Sequence, residues 1–232
     1  MIAGRSGTQK SGFGLWWTVQ MNLPTLYLSA DMSAFTASSR VAAMQTGMTT
    51  SAIEAQMLAG GAGRQDVLDS MNGLNLTFAF GPITWPGVDA ELEAYVELHN
   101  AYPEVMVIDN LMDIDGAASD YAVQMDCLQI ISDLSRATGA TIIVMHHASD
   151  KGWEAKSDPW SPPSRDQVKN GLAEKPELSL GVGFNPRSFE YYIAVLKQRM
   201  GPSDPTAQSY ATIRIDPERT RFMSMSQELP TI

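Results

Sequence analysis

The chain has 232 residues, 44% of them hydrophobic and 18% charged, which excludes a mostly disordered polymer and fits one globular domain with a sizeable core. A net charge of −10 excludes a surface broadly coated for duplex DNA, because affinity for the phosphate backbone comes from lysine and arginine, and it leaves room for a local basic channel. No apolar run reaches the ~20 residues of a membrane span, no basic-then-apolar leader opens the sequence, and Cys127, the single cysteine, excludes an internal disulfide framework and suits a reducing cytosol. The expectation is a cytoplasmic protein with no membrane partner, whose 14 methionines serve adaptable core packing.

Residues 1–15 nearly spell a phosphate-binding loop. The pattern G-x-x-x-x-G-K-[ST] would be met by Gly4, Lys10 and Ser11 if position 9 were glycine, but it is Gln9. A glycine-rich turn between a strand and a helix aims backbone N–H groups at an anion, a lysine reaches the outer phosphates, and a hydroxyl holds magnesium. Gly4, Arg5, Ser6, Gly7, Thr8, Gln9, Lys10 and Ser11 are the residues placed to do this. Alone, the stretch also reads as a Gly/Ser-rich tail, so the rest of the chain decides.

Residues 13–20 suit a helix ended by Asn22-Leu23-Pro24, and residues 25–30 a buried parallel strand. Helices are expected over 33–44, with Ser33 as a candidate cap, over 50–58, and briefly over 65–72 after the break at 60–63. Residues 74–80 alternate as a strand, and 88–101 place Leu92, Tyr95, Val96 and His99 on one side of a helix, with His99 at the surface. Residues 104–110 form an apolar run ending in a carboxylate, and ligands of open α/β sheets sit beyond the carboxyl ends of strands, which puts Asp109 in position to work. The helix over 118–138 has the clearest three-and-four spacing and stops at Gly139. Residues 140–145 are a buried strand running into His146-His147. Residues 148–176 turn polar without periodicity and read as a long functional or mobile loop; strands return over 178–184, 190–197 and 209–215.

A near phosphate loop, a strand ending in Asp109, a strand ending in His146-His147, and Lys197-Gln198-Arg199-Met200-Gly201-Pro202 thus follow one another in order. That order resembles the RecA-like ATPase core of the DnaB/RepA-type replicative helicases encoded by phages and plasmids, over nearly the whole chain. Leu26 to Ser33 resembles the family's strand ending in an acidic residue, Val105 to Leu111 its Walker B strand, Ile142 to Ser149 its sensor strand, and Asp216 to Phe222 its closing Arg-Phe. The resemblance implies a single α/β P-loop NTPase domain over 1–232, with a mostly parallel sheet flanked by helices and C-terminal antiparallel strands.

It also implies ATP and Mg2+ as cofactors, single-stranded or forked DNA as partner, replication proteins as further candidate partners, and a homo-oligomeric ring or filament, a hexamer by family analogy. Lys10 would neutralise the β and γ phosphates, Ser11 and Asp109 would hold the metal, and His147 would sense the γ-phosphate. Asp31, where the family has glutamate, would orient and deprotonate the attacking water; the other reading of Asp31 is a helix cap. Lys197 and Arg199 would act on a neighbour's nucleotide. Lys151, Lys156, Arg165, Lys169 and Lys175 would lie in a DNA-facing loop, interleaved with Asp150, Glu154, Asp158, Asp166 and Glu174. Gln9 implies strain where the loop normally turns on glycine, and only Ile2 and Ala3 precede the loop as strand. Two further readings stay open: a nucleotide-binding scaffold with little turnover, and a nuclease using Asp31, Asp109 and Asp113 for a metal.

Overall fold

The computed structural model describes residues 1–118, 120–149 and 159–227. The predicted apolar runs pair as β1 (Ile2–Gly4), β2 (Thr25–Ser29), β3 (Leu76–Phe80), β4 (Val105–Asp109), β5 (Thr141–His147), β6 (Leu178–Asn185), β7 (Glu190–Gln198), β8 (Ala211–Asp216) and β9 (Arg221–Met223). Among the described residues they form one sheet in the order β3-β2-β4-β5-β1-β6-β7-β8-β9. From β3 to β6 every pairing is parallel, and from β6 to β9 every pairing is antiparallel. The expected fold class holds: a mostly parallel sheet with an antiparallel C-terminal extension.

β1 needs only three residues because it lies between two longer strands, with Ile2 opposite Met145 on one side and Leu180 on the other. Both of its edges are hydrogen-bonded, so a short strand suffices at the centre. β5, carrying the two histidines, separates β1 from β4, and this sets the spacing between the phosphate loop and Asp109.

The strands alternate between two cores, as period-two side chains must. Leu26, Leu28, Met106 and Ile108 face one side with Leu92, Tyr95, Leu128 and Ile131 of α5 (Trp85–His99) and α6 (Tyr121–Thr138). Tyr27, Val105 and Val107 face the other with Phe13, Leu15 and Val19 of α1 (Lys10–Met21). Each fully buried Leu or Ile here contributes roughly 1.5–3 kcal/mol relative to exposure. At Gly14, where α1 crosses β5, the Met145 methyl fills the space that a Cβ would take, so a larger residue would oblige that methyl to move.

Helix starts differ from the sequence reading for local reasons. α1 begins at Lys10 rather than residue 13, since the loop turns directly into it. α5 begins at Trp85, capped by the Thr84 hydroxyl accepting from Gly87 N, and α6 begins at Tyr121, capped by Asp120. Between β2 and β3 lie α2 (Ala34–Thr46), α3 (Thr50–Ala59) and α4 (Gly61–Asp69). His99 stays at the surface, its ring tilted against Tyr95 with centroids 4.3 Å apart.

The described part of the 148–176 stretch departs from a free loop. It contains 3-10 helices over Arg165–Gln167 and Lys169–Glu174, and buries Val168, Leu172 and Ala173 in the α5/α6 core. Ser149 N donates to Gln167 O at 2.7 Å, closing the base of the excursion. Residues 150–158, including Asp150, Lys151, Glu154, Lys156 and Asp158, lie outside the described residues.

The C-terminal hairpin closes the molecule over α2. Arg219 pairs with Asp216 at 2.9 Å and donates to Gly47 O at 2.9 Å, while Arg221 Nε donates to Met44 O at 2.9 Å, satisfying carbonyls at the helix end. Phe222 packs on Phe13 and Tyr191 at centroid distances of 5.2 and 4.8 Å.

Candidate active site

The loop from Arg5 to Gln9 leaves β1 and enters α1 through two left-handed residues, Gly7 with φ 76° and Gln9 with φ 58°. Glycine meets that torsion without steric cost; for glutamine it carries ~1–2 kcal/mol of strain. The expected consequence of the missing glycine is thus a strained backbone rather than a different turn. Gln9 offers no side-chain cap to α1, so the first-turn amides remain donors for an anion.

Arg5 O gathers the loop. It accepts from the Thr8 hydroxyl at 2.8 Å and from Lys10 Nζ at 2.8 Å. Arg5 itself is buried, its guanidinium donating to Pro159 O and Ser161 O at 3.3 Å each. Lys10 is buried too, and burial pulls its ammonium down to about 8, against which nearby Asp109 pushes upward and Lys169 downward. An anion at the loop would supply the counter-charge that burial removes.

The Ser11 side chain lies close enough to the Asp109 carboxylate, at the end of β4, to hold its carboxyl down. Burial raises the Asp109 carboxyl overall, and Ser11 and Tyr27, with the charge of Lys10, oppose that rise. The Tyr27 hydroxyl donates to Asp109 Oδ2 at 3.0 Å, both groups being buried. Sequence reading missed Tyr27. The available signal was a phenol inside an apolar strand, since a buried tyrosine hydroxyl normally finds a partner.

Asp31 is exposed in the turn between β2 and α2. Ser29 Oγ shapes that turn by accepting from Met32 N at 3.2 Å, and the Asp31 charge is felt by both Asp109 and Asp113. The helix-cap reading of Asp31 is corrected: Ser33 caps α2, accepting from Thr36 N at 3.1 Å. Asp113 is engaged locally, its Oδ2 accepting from Asn110 N and Nδ2 at 3.2 and 2.5 Å. Among the described residues no group of three His, Cys, Asp or Glu is arranged to hold a metal, which removes the geometric basis of the nuclease reading.

His147 ends β5 opposite Gly4, so it stands beside the loop; His146, opposite Ala3, is fully buried. Burial lowers the His146 imidazole to about 4, and its Nε2 lies 3.3 Å from Lys169 O. Lys169 therefore sits near the loop, its Nζ 3.9 Å from Met112 Sδ. Arg165 pairs with Glu174 at 3.6 Å and Lys175 Nζ donates to Gln129 at 2.7 Å.

Lys197 and Arg199 are at the other end of the sheet. β6 runs parallel to β1, and its first residue Leu178 pairs with Gln198, the last of β7. Lys197 Nζ donates to Glu174 O and Pro176 O, and Arg199 pairs with exposed Glu177 at 3.2 Å. Within one chain these cations do not join Lys10.

The residues fit a magnesium nucleotide: uncapped first-turn amides and Lys10 for the phosphates, Ser11 and Asp109 for the metal. Residues 2–152 match the sequence profile of a family described as AAA domain. The Gene 65 protein of Mycobacterium phage L5 is 26% identical over 227 residues, covering 92% of this chain and 81% of that protein. The Gene 65 protein of Mycobacterium phage D29 is 25% identical, with 92% and 93% covered. Among solved structures, a DnaB-like replicative helicase described with its interactions with primase superposes over 97% of this chain with TM-score 0.79 at 12% identity, and this chain spans 57% of its length. A second solved structure, described as an ATPase domain, gives TM-score 0.76 at 13% identity, with 97% and 84% covered. At those identities the likeness to solved structures is one of fold.

Proposed function

The chain belongs to the AAA domain family and carries the RecA-like fold of DnaB-like helicase ATPase domains, and on that premise we propose that it is an ATP-dependent, helicase-like motor acting on single-stranded or forked DNA in phage-type replication or recombination. The observation that carries this reading is the convergence of Lys10, held by Arg5 O, and the Asp109 carboxylate at the uncapped start of α1, with Ser11 alongside.

Ser11 and Asp109 would hold Mg2+, which when bound would supply charge neutralisation for phosphoryl transfer. The chain's own residues do the rest. Loop amides and Lys10 orient the phosphates, and Ser11 with Asp109 fixes the metal's position. Asp31, exposed at the adjacent strand end, takes the proton of the attacking water. His147, next to Gly4, contacts the γ-phosphate side. Arg199, with Lys197 behind it, serves the site of an adjoining subunit, which makes the working form a ring or filament. Single-stranded DNA is met by the excursion whose base is closed by Ser149 and Gln167.

The test is ATP hydrolysis by purified protein with Mg2+, with and without single-stranded DNA. DNA-stimulated turnover that vanishes in Lys10→Ala is the expected result. Absence of DNA-stimulated turnover overturns the motor; nucleotide binding without turnover would replace it by a nucleotide-binding scaffold, in line with the shorter acid Asp31 and the strained Gln9.

A further inference from the structure

Tyr27 stands out among the buried groups because its hydroxyl reaches the one carboxylate placed to serve a metal. The contact follows from strand register. Tyr27 of β2 lies opposite Val107 of β4, so Asp109 is its diagonal neighbour two residues on, on the same face of the sheet. Diagonal neighbours are separated by a distance that an aromatic side chain spans. The phenol is fully buried and held by Phe78, whose ring centroid lies 5.3 Å away, so its hydroxyl has a fixed direction. It donates to Oδ2 of Asp109 at 3.0 Å. Ser11 also lies close enough to this carboxylate to influence its charge.

We infer that Tyr27 is a positioning residue that makes the metal site selective for small divalent cations. With one lone pair of Oδ2 engaged by the phenol, Asp109 is biased toward presenting Oδ1 alone to a cation. Magnesium accepts that arrangement: it holds an octahedral shell at 2.0–2.1 Å, uses one or two carboxylates singly, and keeps waters and phosphates for the rest. Calcium takes six to eight oxygens at 2.3–2.6 Å and gains from a carboxylate that offers both. Releasing Oδ2 would therefore weaken the first ion and favour the second. Partners that orient a metal ligand typically change affinity by ~10–100-fold when removed.

This inference rests on the proposed nucleotide site, and the experiment separates the two. Binding of a fluorescent ATP analogue is titrated with Mg2+ and with Ca2+ in wild type and Tyr27→Phe, and thermal melting of each protein is recorded without metal. Wild type should need far less Mg2+ than Ca2+ for half-maximal binding. Tyr27→Phe should raise the Mg2+ requirement by ~10-fold while leaving or lowering that for Ca2+, so the ratio narrows. An unchanged ratio in a folded Tyr27→Phe protein overturns the inference and leaves the nucleotide site standing. Parallel weakening with both ions assigns Tyr27 a merely structural part and also overturns it. Failure of wild type to bind the analogue more tightly with any divalent ion sinks the nucleotide reading itself, and the inference with it. Should Tyr27→Phe melt below the assay temperature, Tyr27→Met fills the volume with an adaptable apolar chain and carries the same expectation.

Discussion

The two ends of the sheet hold their charged groups on opposite terms. At the carboxyl ends of β1, β2 and β4, Lys10 and Asp109 are 8% and 6% exposed and are gripped by neighbours in the same chain: Arg5 O, Ser11 and Tyr27. At the other end, the Arg199 and Glu177 side chains are 63% and 79% exposed and meet in a surface pair. Such a pair contributes under about 1 kcal/mol, so little opposes its exchange for another partner. Preorganisation belongs to the groups that must act on one bound molecule. On the proposed reading Arg199 would answer to a second subunit, and a weak surface pair leaves it easy to redirect.

The strongest way to break this comparison is to disable each end in a separate protein. Lys10→Ala and Arg199→Ala should each be inactive, removal of a finger alone costing ~10³–10⁵ in rate. Mixing the two should restore part of the DNA-stimulated turnover, because a Lys10→Ala subunit still presents Arg199 to its neighbour. No recovery on mixing would mean that Arg199 serves its own chain's packing, and the contrast between the ends would lose its functional meaning.

Asp31 sharpens the first end. It is exposed while its partners are buried, as suits a group that meets water. Asp31→Asn should reduce turnover by ~10²–10⁴ with nucleotide binding retained, and Asp31→Glu, which restores the reach of the longer acid, should raise it. Equal loss of binding in Asp31→Asn would assign the residue to structure.

His146 tests how far burial at this end governs stability. Its imidazole titrates near 6.5 when exposed and about 4 when folded, so the unfolded chain binds the extra proton first as pH falls. Stability should therefore be full above about pH 6.5 and decline toward pH 4, by about 3 kcal/mol in all. Urea midpoints measured across that range should flatten in His146→Gln. The smallest effect is at Gln9: Gln9→Gly relieves ~1–2 kcal/mol of left-handed strain but adds ~0.5–1 kcal/mol of chain entropy, a net gain of about 1 kcal/mol or less in the denaturant midpoint.

What the sequence made legible was whatever is carried by neighbours along the chain. Lys10-Ser11 read as a phosphate-loop pair in spite of Gln9, and an apolar run ending at Asp109 read as a strand delivering a carboxylate. The order of these elements supplied the fold class. Contacts made across strands were invisible: Tyr27 finds Asp109 only once β2 and β4 are in register. The stretch around Val168, Leu172 and Ala173 read as loop because 3-10 turns leave only scattered apolar residues facing the core. Asp113 looked like a ligand because its nearest competitor, the Asn110 amide, could not be weighed from spacing alone.

The placement of β1 carries a consequence for how this protein is made. Ile2 and Ala3 are paired with Met145 and His146 on one side and with Leu180 and Gly181 on the other. Loop-closure entropy must be met before such distant pairings give anything back, so β1 gains its second partner only once residues 180–182 are available. The stretch matching the family profile ends at residue 152, before β6 begins. A fragment cut there would leave β1 as a three-residue edge, its outer hydrogen bonds unmet. During synthesis, the strand that leads into the Arg5–Gln9 loop is thus paired on both sides only after β6 has emerged.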